Sequence, residues 1–167
     1  PYITPIKPFY SGVTAIEGAV YDSEKNAPKI HELLQGGKIF ALDDSKTFVV
    51  SSKGDGSLGF YMGLIVNESW AKDSGIDFSD NEQMLVWFKK TFVGWDNIWD
   101  ELFENASTAF IPRPQYCMPF DQTWEALPNL TMLGDAAHLM PPYAGEGVNM
   151  AMQDALELAE CLLNKNF

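Results

Sequence analysis

Leu133-Gly134-Asp135-Ala136-Ala137-His138-Leu139-Met140-Pro141-Pro142-Tyr143-Ala144-Gly145-Glu146-Gly147-Val148-Asn149 is the stretch on which the reading of this chain turns. The apolar run Leu130 to Leu133 before it predicts a short buried strand. That strand would end in Gly134-Asp135 and set a carboxylate at the mouth of a loop. Two prolines and two glycines then predict a rigid turn whose backbone a ligand can approach closely. A helix is expected from about Val148 to Leu163, with Val148, Met152, Ala155, Ala159 and Leu162 on one face. Its first N–H groups lack intrahelical acceptors, and its dipole is positive at that end. Such a turn suits a group that carries or develops negative charge.

Upstream, the hydrophobic period changes from two to 3.6. Gly12 to Val20, Lys38 to Leu42, Lys46 to Ser51 and Leu58 to Val66 read as strands of an antiparallel meander, with Asp-Asp and Gly-Asp-Gly turns between the last three. Asn26 to Gln35 reads as a short helix, with Pro28 near its start and Gly36-Gly37 after its end. Asp80 caps a helix carrying Met84, Leu85, Trp87, Phe88 and Phe92. Asp96 caps a second with Ile98, Trp99, Leu102 and Phe103. Thr108 to Met118, broken by Pro112 and Pro114, suits an edge strand. Strands, then helices, then a strand leading into a helix make the class α+β.

Composition narrows the function. The 167 residues suit one domain with a real core, and eleven Phe, six Tyr and five Trp mark a globular chain. A net charge of −12 argues against nucleic-acid and anionic-membrane partners. Arg113 is the sole arginine, which disfavours a polyphosphate clamp. No apolar run is long enough to span a bilayer. Cys117 and Cys161 read as reduced thiols of a cytoplasmic protein, and the sequons at Asn67, Asn105 and Asn129 carry little weight without a secretory signal. With His31 and His138 the only histidines, no metal cluster and no Ser-His-Asp set is expected. Pro1 at one end and a helix-like stretch running to Phe167 at the other lead to the expectation of a fragment.

The 133–149 stretch closely resembles the second FAD-binding motif of class A flavoprotein monooxygenases, the para-hydroxybenzoate hydroxylase family. Gly134, Asp135, Ala136, Ala137, His138, Pro142, Gly145, Gly147, Asn149, Asp154 and Ala155 fall on its pattern. The run Ala-His-Leu-Met-Pro-Pro looks most like the tetracycline-inactivating members. The resemblance implies that Asp135 hydrogen-bonds a ribityl hydroxyl of FAD. It also implies that Gly134, Pro142, Gly145, Gly147, Val148 and Asn149 line the cofactor, with the helix start facing the flavin N1–C2 carbonyl. His138 receives no catalytic role and Asp154 reads as structural. Glu146 departs from the pattern, since many relatives carry a neutral glutamine there. A carboxylate would oppose negative charge on reduced flavin unless it faces solvent.

The implied chemistry is the family's. NAD(P)H reduces FAD, O2 adds to give the flavin C4a-hydroperoxide, and one oxygen passes to an aromatic or polycyclic small molecule, with a tetracycline-like one suggested by the resemblance. No side-chain nucleophile is required. The implied layout is a substrate-binding domain over 1–125, its sheet roofing the flavin, and the C-terminal part of an FAD-binding domain over 126–167. The N-terminal FAD-binding segment would be a missing partner, leaving the chain alone inactive. By position, Glu17, Lys38, Phe40, Val49, Gly59 and Tyr61 are the substrate-side candidates. For Phe40, Val49 and Tyr61, ordinary core is an equal reading.

Gly54-Asp55-Gly56-Ser57-Leu58-Gly59 is a literal G-x-G-x-x-G, but a strand follows it where a dinucleotide site needs a helix, so it reads as a hairpin turn. Trp70, Trp87, Trp95 and Trp99 read as helix-packing residues. Two alternatives stay open: a reductase or halogenase of the same fold, and a flavin-free binding domain in which the turn is a relic.

Overall fold

The computed structural model describes residues 2–164. Five strands form one sheet: β1 (Phe9–Val20), β2 (Lys38–Asp43), β3 (Lys46–Ser52), β4 (Leu58–Ile65) and β5 (Ile111–Cys117), in the order β2-β3-β4-β1-β5. The β2–β3, β3–β4 and β1–β4 pairs are antiparallel. The α+β class is therefore as expected, and β5 with its two prolines stands at the edge, where a missing N–H costs no ladder bond. The helices are α1 (Ser23–Asn26), α2 (Pro28–Leu34), α3 (Trp70–Asp73), α4 (Asn81–Thr91), α5 (Asp100–Glu104), α6 (Asp135–His138) and α7 (Gly147–Leu163).

The chain divides into two compact units. One runs from Gly12 to Pro114. The other joins the residues up to Ser11 with those from Gln115 onward. The boundaries fall inside β1 and β5.

In the Gly12–Pro114 unit, alternation along the strands sends Ile16, Val20, Phe48, Val50, Leu58, Phe60 and Met62 to one face, where all are fully buried. α4 and α5 supply Met84, Phe88, Leu102 and Phe103 to this core. Phe48 is its hub, with its ring centroid 4.8 Å from Trp99 and 5.9 Å from Phe60. Trp70 packs on Trp87 at 5.7 Å, and Phe92 meets Trp95 edge-on at 5.2 Å, so the four tryptophans are packing residues, as expected. Gly18 is required here. It stands opposite Phe60 across β1 and β4, and a β-carbon on it would lie 2.3 Å from the Phe60 ring.

Asp80 caps α4, its carboxylate accepting from the Glu82 and Gln83 amides. Asp96 accepts from the Ile98 amide, but the helix it opens begins as a 3-10 turn over Asn97–Trp99 before α5. The helix expected over 26–35 is α2, and a separate one-turn helix, α1, precedes it. Pro28 cannot donate an N–H and pushes Ala27 out of the helical region, to φ −143° and ψ 59°, so α1 ends there and α2 starts on the proline. The turn at Gly54–Gly56 joins β3 to β4 with Gly56 at φ +81°, and the G-x-G-x-x-G run is a hairpin.

The expected buried strand at Leu130–Leu133 is absent. Leu127 and Leu130 form an isolated bridge across a turn, and both Leu130 and Leu133 are exposed. A strand exists through its ladder, and no described segment pairs with residues 131–133. α7 matches its expected span, but none of its described residues is buried; Val148, Met152, Leu156 and Leu162 are each more than half exposed.

Candidate functional site

Two groups of residues carry chemistry, one in each unit. The first is the open face of the sheet. The strand register sets Phe40 opposite Val49, Val49 opposite Tyr61 and Tyr61 opposite Glu17. One step along each strand pair, two residues on, Lys38 faces Ser51, and Ser51 faces Gly59. All six substrate-side candidates therefore share one face, the opposite side from the aromatic core. Phe40 is 64% exposed and Tyr61 38%, with Val49 and Glu17 half-buried, so none of the four is core. Gly59 is buried; a β-carbon there would crowd the Lys53 side chain at 2.9 Å. The Lys38 ammonium lies over the Phe40 ring, 5.6 Å from its centroid.

At the far end of the row is a polar cluster. Arg113 on β5 donates from Nε and Nη2 to Glu17 Oε2, both at 2.8 Å. Tyr61 donates its hydroxyl to Glu17 Oε1 at 3.3 Å. Burial, then the Glu17 charge, raise the Tyr61 phenol above its ordinary value, and Arg113 acts against them. Sequence pattern alone does not place Arg113 here. A signal existed, because a sheet-face glutamate needs a counter-charge and the chain has one arginine.

The second group is the 134–149 turn. Gly134 takes φ +54°, and a β-carbon on it would press the Ala151 side chain at 3.0 Å, so glycine lets the turn lie against α7. Asp135 opens α6; its exposed carboxylate makes no hydrogen bond or ion pair with any described residue. Pro142 starts a 3-10 turn closed by the Gly145 amide on the Pro142 carbonyl at 3.0 Å. Around Gly145 and Gly147 the space is open to 4 Å where a β-carbon would stand. No side chain caps α7, which leaves the first-turn amides around Val148 and Asn149 without a side-chain acceptor. Glu146 is exposed and accepts from Asn149 Nδ2 at 3.0 Å, so its charge faces solvent and engages the Asn149 amide.

The turn is held from behind. Asp154 on α7 accepts the Gly134 amide at 2.8 Å and meets His138 Nε2 at 2.6 Å, both on Oδ2. The Gly134 bond first, then His138, lower the Asp154 carboxyl below its ordinary range. Gln122 donates to the Ala137 carbonyl, and the Met118 amide to the Leu139 carbonyl at 2.8 Å. The motif pattern by itself gives His138 no role and makes Asp154 merely structural. Their spacing across a turn and one helix face is the signal that could have joined them.

This donor set fits a flavin. It offers a carboxylate free to accept from a hydroxyl, a backbone open to close approach, and an uncapped helix start for electron-rich atoms. Among the described residues no cluster of His, Cys, Asp or Glu could hold a metal, and no helix is long and apolar enough to cross a membrane. Cys117 and Cys161 are free thiols.

Comparison with known proteins agrees with that fit. Residues 128–165 match the family model described as FAD binding domain. Monooxygenase penA of Penicillium thymicola is 33% identical over 90 residues, covering 50% of this chain and 21% of that protein. The chloroplastic zeaxanthin epoxidase of Solanum lycopersicum is 30% identical over 156 residues, 93% of this chain and 21% of that one. Among solved structures, Klebsiella pneumoniae HpxO complexed with FAD and uric acid superposes with a TM-score of 0.69 at 19% identity, over 93% of this chain and 37% of that chain. The chain thus spans about a fifth of the length of the curated relatives it matches. Residues 128–165 thus match the FAD binding domain model, the likeness to zeaxanthin epoxidase extends over most of the chain, and the fold is shared with an FAD-bound structure.

Proposed function

We propose that this chain carries the flavin turn and the substrate face of an FAD-dependent, NAD(P)H-using monooxygenase that acts on an aromatic or polycyclic small molecule. The observation that carries the reading is Asp135. Its carboxylate has no partner among the described residues, and it stands inside the stretch that matches the FAD binding domain. In this reading Asp135 would accept from a ribityl hydroxyl, and the backbone at Pro142, Gly145 and Gly147 would hold the flavin. The α7 start at Val148 and Asn149 favours negative charge beside it. When bound, the flavin supplies oxygen-transfer chemistry, with NAD(P)H as reductant and O2 as oxidant.

The sheet face supplies orientation for the substrate. From Phe40 to Glu17 the row crosses three strand intervals, about 14 Å, which suits a fused ring system. Phe40, Val49 and Tyr61 offer apolar and aromatic surface. Lys38 marks one end, and the Glu17–Arg113 pair with the Tyr61 hydroxyl marks the other. The pairing of Glu17 with Arg113 leaves that end polar but locally neutral, so it favours hydrogen-bonding groups over bare charge. We further assign the exposed apolar side of α7 to packing against the remainder of the FAD-binding domain, a segment beyond this chain. A free apolar helix side of that size requires a covering surface.

The test is titration of the chain with FAD, followed by tryptophan and flavin fluorescence, beside Asp135→Ala. Saturable quenching that weakens about tenfold or more in the variant is expected. An affinity that ignores the substitution removes Asp135 from the site. The absence of saturable binding removes the reading of this turn as a flavin site in the chain by itself.

A further inference from the structure

One oxygen of Asp154 receives two hydrogen bonds from the same turn. Oδ2 accepts the Gly134 amide at 2.8 Å and pairs with His138 Nε2 at 2.6 Å. Gly134 and His138 bracket α6, so both ends of that one-turn helix are tied to a single carboxylate on α7. Because the carboxylate accepts at both contacts, Nε2 must carry a proton, which fixes the imidazole orientation. Hydrogen bonds of this kind, with an ionised acceptor, are about twice as strong as neutral ones.

Several features make this more than a local contact. Gly134 holds φ +54° and ψ −135°, a conformation only glycine adopts freely, and it lies against Ala151 one turn before Asp154 on α7. α6 has no side-chain cap of its own, so the Asp154 bond to the Gly134 amide is what ties its N-terminal end. On its far side the Ala137 and Leu139 carbonyls are taken by Gln122 and Met118. Asp135, between the tied residues, keeps its carboxylate unused by the described residues and exposed.

We infer that Asp154, with His138, is the positioning residue of the flavin turn: it does not touch the cofactor but fixes the backbone that aims Asp135 at it. The inference rests on the flavin reading given above. Without the clamp, Gly134 is free to leave its rare conformation, and the Asp135 carboxylate samples orientations that miss the ribityl hydroxyl. Cofactor binding then weakens even though every side chain that touches the cofactor is still present.

The experiment is a double-substitution cycle on FAD affinity, read by flavin fluorescence, with amide hydrogen exchange at Gly134 as a second readout. Asp154→Ala should weaken FAD binding about tenfold, the worth of the one charge-assisted Asp135–ribityl hydrogen bond that the clamp aims, and raise the Gly134 exchange rate. In the Asp135→Ala background the same change should cost nothing more, because Asp154 acts through Asp135. Asp154→Asn keeps the shape and one acceptor oxygen, guards against a folding defect, and should recover part of the affinity. Equal losses in both backgrounds would make Asp154 a general structural support and overturn the inference, as would unchanged affinity in both single variants. The two failures are distinguishable. No saturable binding by the unsubstituted chain overturns the reading of this turn as a flavin site in the chain by itself, and this inference with it, whereas binding indifferent to Asp154 overturns this inference alone.

Discussion

Arg113 on β5 and Glu17 on β1 are 96 residues apart in sequence, yet the guanidinium places Nε and Nη2 at 2.8 Å from one carboxylate oxygen. Both side chains are substantially exposed, so the pair contributes little to stability. Its consequence falls on Tyr61, whose hydroxyl donates to the other Glu17 oxygen. Burial is the larger cause of the raised Tyr61 phenol, and the Glu17 charge is the next. Glu17→Gln should therefore lower the Tyr61 pKa part of the way toward its ordinary value. Arg113→Ala should raise it further, because Arg113 opposes the shift. Phenolate absorbance, taken as a difference against Tyr61→Phe, reads both; a shift of the same sign in the two variants would refute this account.

Gly18 decides how closely β1 and β4 pack on the core side. A β-carbon there would stand 2.3 Å from the Phe60 ring, and Phe60 has no exposed side toward which to move. Gly18→Ala should destabilise the chain by about 1–3 kcal/mol, the usual cost of overpacking. Denaturant unfolding with an unchanged slope checks it. Adding Phe60→Leu should recover part of the loss.

Much of this is legible in the sequence, for identifiable reasons. β2, β3 and β4 follow from alternation and turn residues, both local signals. Asp80 is readable as a cap because its role depends on the next three residues. The shared face of Phe40, Val49, Tyr61 and Glu17 also follows, since register converts period two into one side of a sheet. What is not legible depends on distant partners. The run at 130–133 has strand composition but no ladder neighbour among the described residues, and composition cannot report a neighbour. Arg113 meeting Glu17, and Asp154 meeting Gly134 and His138, are tertiary facts that no local pattern encodes. The start of α2 is by contrast local, encoded in Pro28, which suits the first helical position and ends α1 at the residue before it.

The Asp80 cap gives a clean energetic test. Its carboxylate serves the Glu82 amide at 2.9 Å and the Gln83 amide at 3.1 Å at the exposed start of α4. Asp80→Ala should lower stability measurably, through loss of the cap, and Asp80→Asn or Asp80→Ser less. Because α4 carries Met84 and Phe88 into the core, the loss should appear in global unfolding. A loss confined to local fraying would contradict this coupling.

The core and the α7 surface should respond oppositely to truncation. Phe48 is fully buried among Phe60, Phe88, Trp99 and Phe103, so Phe48→Ala should cost about 3–5 kcal/mol. Leu156 on α7 is 60% exposed. In this chain Leu156→Ala should therefore change stability by no more than about 0.5 kcal/mol. Thermal unfolding of the two variants separates the core from a surface awaiting a partner. A large loss at Leu156 would mean that α7 is already covered in solution.

Asp154 sets the acid limit of the flavin turn. Its carboxyl is held below its ordinary value, about 3.9 in unstructured peptides, by the Gly134 amide first and by His138 second. A depressed folded-state pKa contributes stability that is fully present above the unfolded value and is lost as pH falls through the folded one. The stability gap between the native chain and Asp154→Asn should thus stay constant from neutral pH down to about 4 and close below that. His138→Gln should leave the carboxyl still depressed, because the larger cause, the Gly134 amide, remains. Carbon NMR titration of the Asp154 carboxyl measures this directly. A midpoint restored to the ordinary value by His138→Gln would transfer the leading role from the Gly134 amide to the imidazole.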